Sequence, residues 1–311
     1  MNLILATGIV ALILLARTRH VEEKDGSTPP HLHSRYAGEM RVLGIGSLVT
    51  VVVYATLSIL QGFVFDLVNV VSWWYYAAPL ISGAVVLTVV MLVMALGQRE
   101  IPRRPVLPTS RRTWLSFIRI RELTTTALLV VLLVSTTIFA GMNSSPDQEG
   151  RFVYVNISVP NTDIAPLRPW FYGWAYGIPV LICMALMIVA AWGALHINAV
   201  RSFTSPDLVA SERTDRIAIG TGVARIVAGV TALSLAGALR FIADGSAIKK
   251  LTIEGQGTYD AVWRYAEFAV IGGAIAPCLE IFGFLILLLT SIARLKTSAR
   301  RTPAARTELA R

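Results

Sequence analysis

Long apolar runs, broken at intervals by short polar stretches, decide what this chain can be. Seven of them stand out: residues 3–16, 42–65, 77–97, 123–141, 172–197, 217–243 and 265–293. An α-helix needs about 20 apolar residues to cross the hydrocarbon core of a bilayer. No water is present there to hydrogen-bond free backbone groups, so each run must satisfy its own and folds as a helix. Composition agrees, with 55% hydrophobic and 15% charged residues against about 25% charged in soluble domains. Too little polar surface is left to cover a water-facing globule of 311 residues. We expect an all-α polytopic membrane protein, a single integral domain built as a bundle of seven transmembrane helices. A soluble enzyme, a nucleic-acid binder and a disordered scaffold are excluded.

The first run is the shortest. Its 14 residues suit a signal-peptide core as well as a span. No Lys or Arg precedes it, however, and Arg17 and Arg19 follow it at once, with no small-residue cleavage site between. That is the reverse of a signal peptide's charge layout. We read it as a short anchor with its N-terminus outside. If it instead lies on the surface, six spans remain and their orientation is unchanged.

Charge sets the direction. Segments 17–41, 98–122, 198–216 and 294–311 hold 21 of the 28 basic residues. The three alternating segments, 66–76, 142–171 and 244–264, hold five. The last two, Arg225 and Arg240, lie inside spans. Every loop obeys the alternation, which puts the basic side and the C-terminal tail in the cytoplasm. The formal net charge of +9 is therefore a positive-inside bias that attracts anionic lipid heads, not a nucleic-acid footprint. Trp73, Trp74, Tyr75 and Tyr76, Trp170 to Tyr176, and Tyr259 to Tyr265 fall at the outer boundaries, where amphipathic rings anchor at head-group level.

The loops carry weaker signals. His31 and His33 have the spacing of two metal ligands on a strand, but no third ligand stands near. Loop 98–122 has Pro102, Pro105 and Pro108 at every third residue, then Trp114, Phe117 and Ile118 at helical spacing among arginines. That predicts a basic amphipathic segment on the inner membrane surface. In 151–159, Val153, Val155, Ile157 and Val159 alternate with their neighbours, a strand signal. Residues 248–254 hold a second β-like run. We expect the two to pair as a small extracytoplasmic β cap. Asn143-Ser144-Ser145 and Asn156-Ile157-Ser158 match the N-glycosylation pattern.

Ionisable residues within spans are the sharpest functional pointers, because each costs several kcal/mol if left facing lipid. They are Arg225 and Arg240 in the sixth run, and Glu267 and Glu280 in the seventh. Counted in equal steps from level outer ends, Arg240 meets Glu267 and Arg225 meets Glu280 to within about 5 Å. Glu267 and Glu280 lie about 140° apart around a straight helix. Both pairs can form only if Pro277, after Gly272-Gly273, breaks or bends the helix. Such pairs either pin two helices together or form an ion-coupled site beside a broken helix, as in transporters. Ala224, Ala228, Ala232 and Ala236 add a small-residue stripe suited to close helix packing or to an interface.

No catalytic constellation is present. There is no HExxH, no CxxC, no Walker A loop, no intramembrane aspartate pair, and no lysine in the last run to hold retinal. Cys183 and Cys278 both read as buried thiols. We expect no enzyme activity, cofactor or metal. The favoured role is a non-enzymatic accessory or regulatory membrane subunit with a membrane or cytoplasmic protein partner. The alternative is a small secondary transporter using Arg225 and Glu280. An Ala-, Val-, Leu- and Arg-rich chain with few Lys points to a bacterial cytoplasmic membrane.

Overall fold

The computed structural model describes residues 3–10, 36–60, 71–97, 113–159, 165–203, 209–253 and 257–299. Six helices make up most of it: α1 (Ala37–Ile59), α2 (Trp73–Leu96), α3 (Ile120–Met142), α4 (Trp174–Val200), α5 (Val209–Gly245) and α6 (Ala266–Ala299). Each is long and apolar enough to cross a membrane, and each overlays one of the last six apolar runs. The chain is a multi-pass membrane protein. Of the first run, residues 3–10 are helical and Ala6 joins the core. Residues 11–16, on which a seventh span depends, lie outside the described residues. So do His31, His33 and the prolines of loop 98–112.

Helix α5 sits at the centre and touches all five other helices. Its apolar window is 72% buried, against 22% to 39% for the rest. It is also the least hydrophobic of the six. Among the described residues it presents no large apolar side chain to the outside, whereas Val85 and Val89 of α2, Leu128 and Val131 of α3 and Leu186 and Val189 of α4 all face outward. This inverts the pattern of a soluble core. Lipid is as apolar as leucine, so helices associate through close packing of small residues. Ala224, Ala228, Ala232 and Ala236 are all buried within this chain, so the stripe serves internal packing. A Cβ on Gly283 would stand 2.9 Å from the Gly229 carbonyl oxygen, which is how closely α5 and α6 approach.

Two hairpins join helices at one end of the bundle. Strands β1 (Ser144–Pro146) and β2 (Phe152–Val155) pair antiparallel, as do β3 (Lys250–Ile253) and β4 (Gly257–Asp260). The two expected β segments therefore form, but each pairs within its own loop and not with the other. Local closure wins because a short turn costs less chain entropy than joining two separate loops. Val153, Val155 and Ile157 are buried on one face of their segment, as alternation predicts. The first turn is held by Asp147, whose carboxylate accepts from the backbone N–H of Glu149 and Arg151 at 2.9 and 2.8 Å. Gly150 takes φ +78° there, a conformation that costs glycine little.

Trp114, Phe117 and Ile118, which have helical spacing, do not lie on an α-helix. Trp114–Phe117 is a single 3₁₀ turn, followed by extended residues and then α3. Phe117 is buried with Ala199 and Phe203, so this segment wedges into the bundle. The thiols differ from expectation too: Cys183 is half-buried and Cys278 exposed.

Candidate functional site

The ion pairs within the helices are not the expected ones. Arg240 donates from Nη2 to a Glu280 carboxylate oxygen at 2.5 Å. Arg225 donates from Nε and Nη2 to one oxygen of Glu122, at 3.2 and 2.8 Å. Glu267 stands exposed in the first turn of α6. Two physical facts explain the exchange. First, α5 has 37 residues, about 55 Å at 1.5 Å per residue, far more than the roughly 30 Å hydrocarbon core. Arg225 is therefore not deep. It lies level with the first turn of α3, where Glu122 is favoured by the helix N-terminus.

Second, the contacts between α5 and α6 are not those of level runs 217–243 and 265–293. Gly229 lies against Gly283, and Ala243 against Gly273, the first pair level when counted from the observed helix ends and the second offset by little more than one turn. Side chains lean toward the N-terminus of their own helix. In antiparallel helices this brings Arg240 and Glu280 toward each other. Helix α6 also runs through Pro277 without interruption, so the expected break is absent.

Around Arg240 the hairpin end gathers tyrosines from three helices. Tyr76 sits in their midst, with ring centroids 5.1 Å from Tyr75, 5.5 Å from Tyr172, 5.4 Å from Tyr176 and 5.5 Å from Phe241, the last stacked parallel to 1°. Tyr54 stacks on Tyr75 and touches Phe284. Trp73 is exposed as a belt residue should be, but Tyr76 turns inward. A recess of about 220 Å³ opens here between α1, α2 and α5, lined by Ser58, Tyr75, Tyr76, Arg240, Phe241 and Asp244. Arg240 keeps 43% of its side chain exposed while Glu280 keeps 12%. The carboxylate thus holds the guanidinium from the packed side and leaves its other edge open. A larger recess of about 390 Å³ lies over the β1–β2 hairpin, lined by Asn143, Asn156, Ser158, Trp263, Arg264 and Tyr265.

The opposite end of the bundle holds a buried charged cluster. Arg201 caps the C-terminus of α4 and donates to Glu39 at 2.7 Å and to the Met94 carbonyl at 2.6 Å. Arg216 is fully buried. It donates to the carbonyls of Arg201 and Ser202 at 2.7 and 2.9 Å and lies 3.6 Å from Glu212. Its guanidinium stacks over Phe203 at 4.3 Å and Phe117 at 5.5 Å. The Tyr36 hydroxyl donates to Glu212 at 3.1 Å. Asp215 and Arg294 are buried nearby in sequence or on α6. Among the described residues the buried charges at this end, Glu39, Glu212 and Asp215 with Arg201, Arg216 and Arg294, balance to zero. The basic surplus of this end therefore survives their removal from the surface.

No protein-family model, no curated protein and no solved structure matches this chain. Among the described residues no group of His, Cys, Asp or Glu is placed to hold a metal ion. Sequence reasoning missed Tyr54, Ser58 and Asp244 as neighbours of Arg240. It also missed Glu122 as the partner of Arg225, and the whole charged cluster. A signal for Glu122 was present, since an acid in the first turn of a span marks the boundary level that a facing Arg would share.

Proposed function

We propose that this chain is a non-enzymatic accessory or regulatory subunit of a cell membrane. It would sit with its basic, charge-clustered end in the cytoplasm and its hairpins outside, in a bacterial cytoplasmic membrane. One observation carries the reading: the centre of the bundle is filled by α5, whose window is 72% buried. The ionic groups beside it are spent on holding helices, Arg225 to Glu122 and Arg240 to Glu280. A packed centre with pinned helices suits a rigid scaffold that presents its two ends to other proteins better than a conduit. The test is purification of the tagged chain at native level in mild detergent, with mass spectrometry of the species obtained. A stoichiometric membrane or cytoplasmic partner is expected. A single species, reproduced after cross-linking in the membrane, would overturn the reading.

The recess at Arg240 favours a second reading, a small secondary transporter. Its ionic site would be Arg240 with Glu280, replacing Arg225 with Glu280. Solute uptake lost in Glu280→Gln at unchanged protein level would support it. Unchanged uptake would remove it.

A further inference from the structure

We propose that the recess between α1, α2 and α5 binds a small zwitterion, its anionic group on Arg240 and its ammonium on Asp244. Arg240 and Asp244 are one turn apart on α5 and both line the recess. That spacing sets side-chain roots about 5–6 Å apart. Opposite charges so placed would ordinarily satisfy each other. Here Arg240 is drawn to Glu280 instead, and Asp244 stays exposed. The recess thus presents a cation held by Glu280 and an exposed carboxylate side by side.

The walls fit the same ligand. Tyr75, Tyr76 and Phe241 line the recess with aromatic carbon, a surface that suits the methylene groups beside an ammonium. The Ser58 hydroxyl lies 3.3 Å from the Tyr75 hydroxyl, a polar pair at the rim. Glu280 holds the guanidinium through Nη2, so an anion meets a cation already positioned. A volume of about 220 Å³ admits a short zwitterion. Such a ligand has two sources: a free amino acid from water, or the phosphoethanolamine head of a phospholipid at the helix ends.

The test uses the full-length protein. Glycine and O-phosphoethanolamine are the soluble probes in detergent, read by calorimetry. Nanodiscs of phosphatidylethanolamine and of phosphatidylglycerol form the lipid arm, read by native mass spectrometry of retained lipid. Saturable binding of a soluble probe, with ethanolamine and inorganic phosphate each weaker by about tenfold or more, assigns a free solute. Selective retention of phosphatidylethanolamine assigns a lipid head group. In either case Asp244→Asn should weaken binding by about tenfold. Arg240→Gln should abolish it, but also breaks the ion pair with Glu280. Asp244 is exposed, so its variant reads the recess without that complication. Binding indifferent to Asp244→Asn, equal binding of inorganic phosphate alone, or no binding of any probe would overturn the proposal.

Discussion

Arg201 and Glu39 form a 2.7 Å ion pair with 2% and 3% of their side chains exposed, and each sits at the helix end that favours its charge. Glu39 lies in the first turn of α1, and Arg201 is the C-cap of α4. The partial charges of the two helix termini therefore support both members. Removing one partner leaves the other's charge enclosed in a sealed site, which costs about 3–5 kcal/mol. Glu39→Ala and Arg201→Ala should each cause a large loss of thermal stability in detergent. The double variant should lose less than the sum of the two. Additive losses would show that the pair contributes no coupling.

Arg216 should not tolerate lysine. Its guanidinium serves two carbonyls, lies near Glu212 and stacks between Phe117 and Phe203. An ammonium is not planar and cannot fork to these acceptors. Arg216→Lys leaves buried carbonyls short of donors, at about 1–3 kcal/mol for each group left unsatisfied. Thermal unfolding of this variant beside the surface control Arg213→Lys measures the difference. Equal midpoints would count against a fork-specific role.

The exchange of ion-pair partners can be read by double-mutant cycles. Arg240–Glu280 and Arg225–Glu122 should each show coupling of about 0.5–3 kcal/mol, as contacting residues do. Arg225–Glu280 and Arg240–Glu267 should show none beyond error. Neutralising substitutions to Gln keep side-chain length, and reversible unfolding in mixed micelles supplies the free energies. Coupling between Arg225 and Glu280 would mean that α5 and α6 sit in a different register.

The outline of the bundle was legible because the cost of placing a residue in lipid is set residue by residue. Six apolar runs became α1 to α6 with ends shifted by one to eight residues. Alternation at Val153, Val155 and Ile157 announced a strand, but its three-residue partner at Ser144–Pro146 carries no pattern of its own. What could not be read is what other helices bury. Glu39, Arg201 and Arg216 end or flank apolar runs and so looked like loop charges, since hydropathy cannot tell a charge in water from one enclosed by neighbours. Tyr75 and Tyr76 looked like belt residues because a ring at the boundary and a ring turned inward have the same position in sequence. The Arg225–Glu280 pairing failed on register, which depends on where Gly229 and Gly283 let the backbones touch.

That contact makes its own prediction. A Cβ at position 283 would lie 2.9 Å from both the Gly229 carbonyl oxygen and Leu233 side-chain atoms, closer than real Cβ contacts. Gly283→Val should force α5 and α6 apart, at the roughly 1–3 kcal/mol typical of overpacking. It should also weaken the Arg240–Glu280 coupling by moving α6. Gly8→Val is the control, since nothing lies within 4 Å of a Cβ there. Yield of monodisperse protein and the thermal midpoint check both.

The β1–β2 turn should show an acid limit. Partial desolvation pushes the Asp147 carboxyl up. The hydrogen bond from the Arg151 side chain, with those from the backbone N–H groups of Arg151 and Glu149, outweighs it and holds the group below its ordinary value of 3.8. A carboxyl lowered on folding stabilises the turn above its unfolded pKa, and that stabilisation fades as pH falls through the lower folded value. The turn should therefore be equally ordered from neutral pH down to about pH 4, and loosen below that. Amide hydrogen exchange of residues 147–151, corrected for intrinsic rates, follows it directly. Asp147→Asn should raise exchange at neutral pH and remove the acid step. An acid step that persists in this variant would assign it to another carboxyl, with Glu149, 2.9 Å from Arg151, the next to replace.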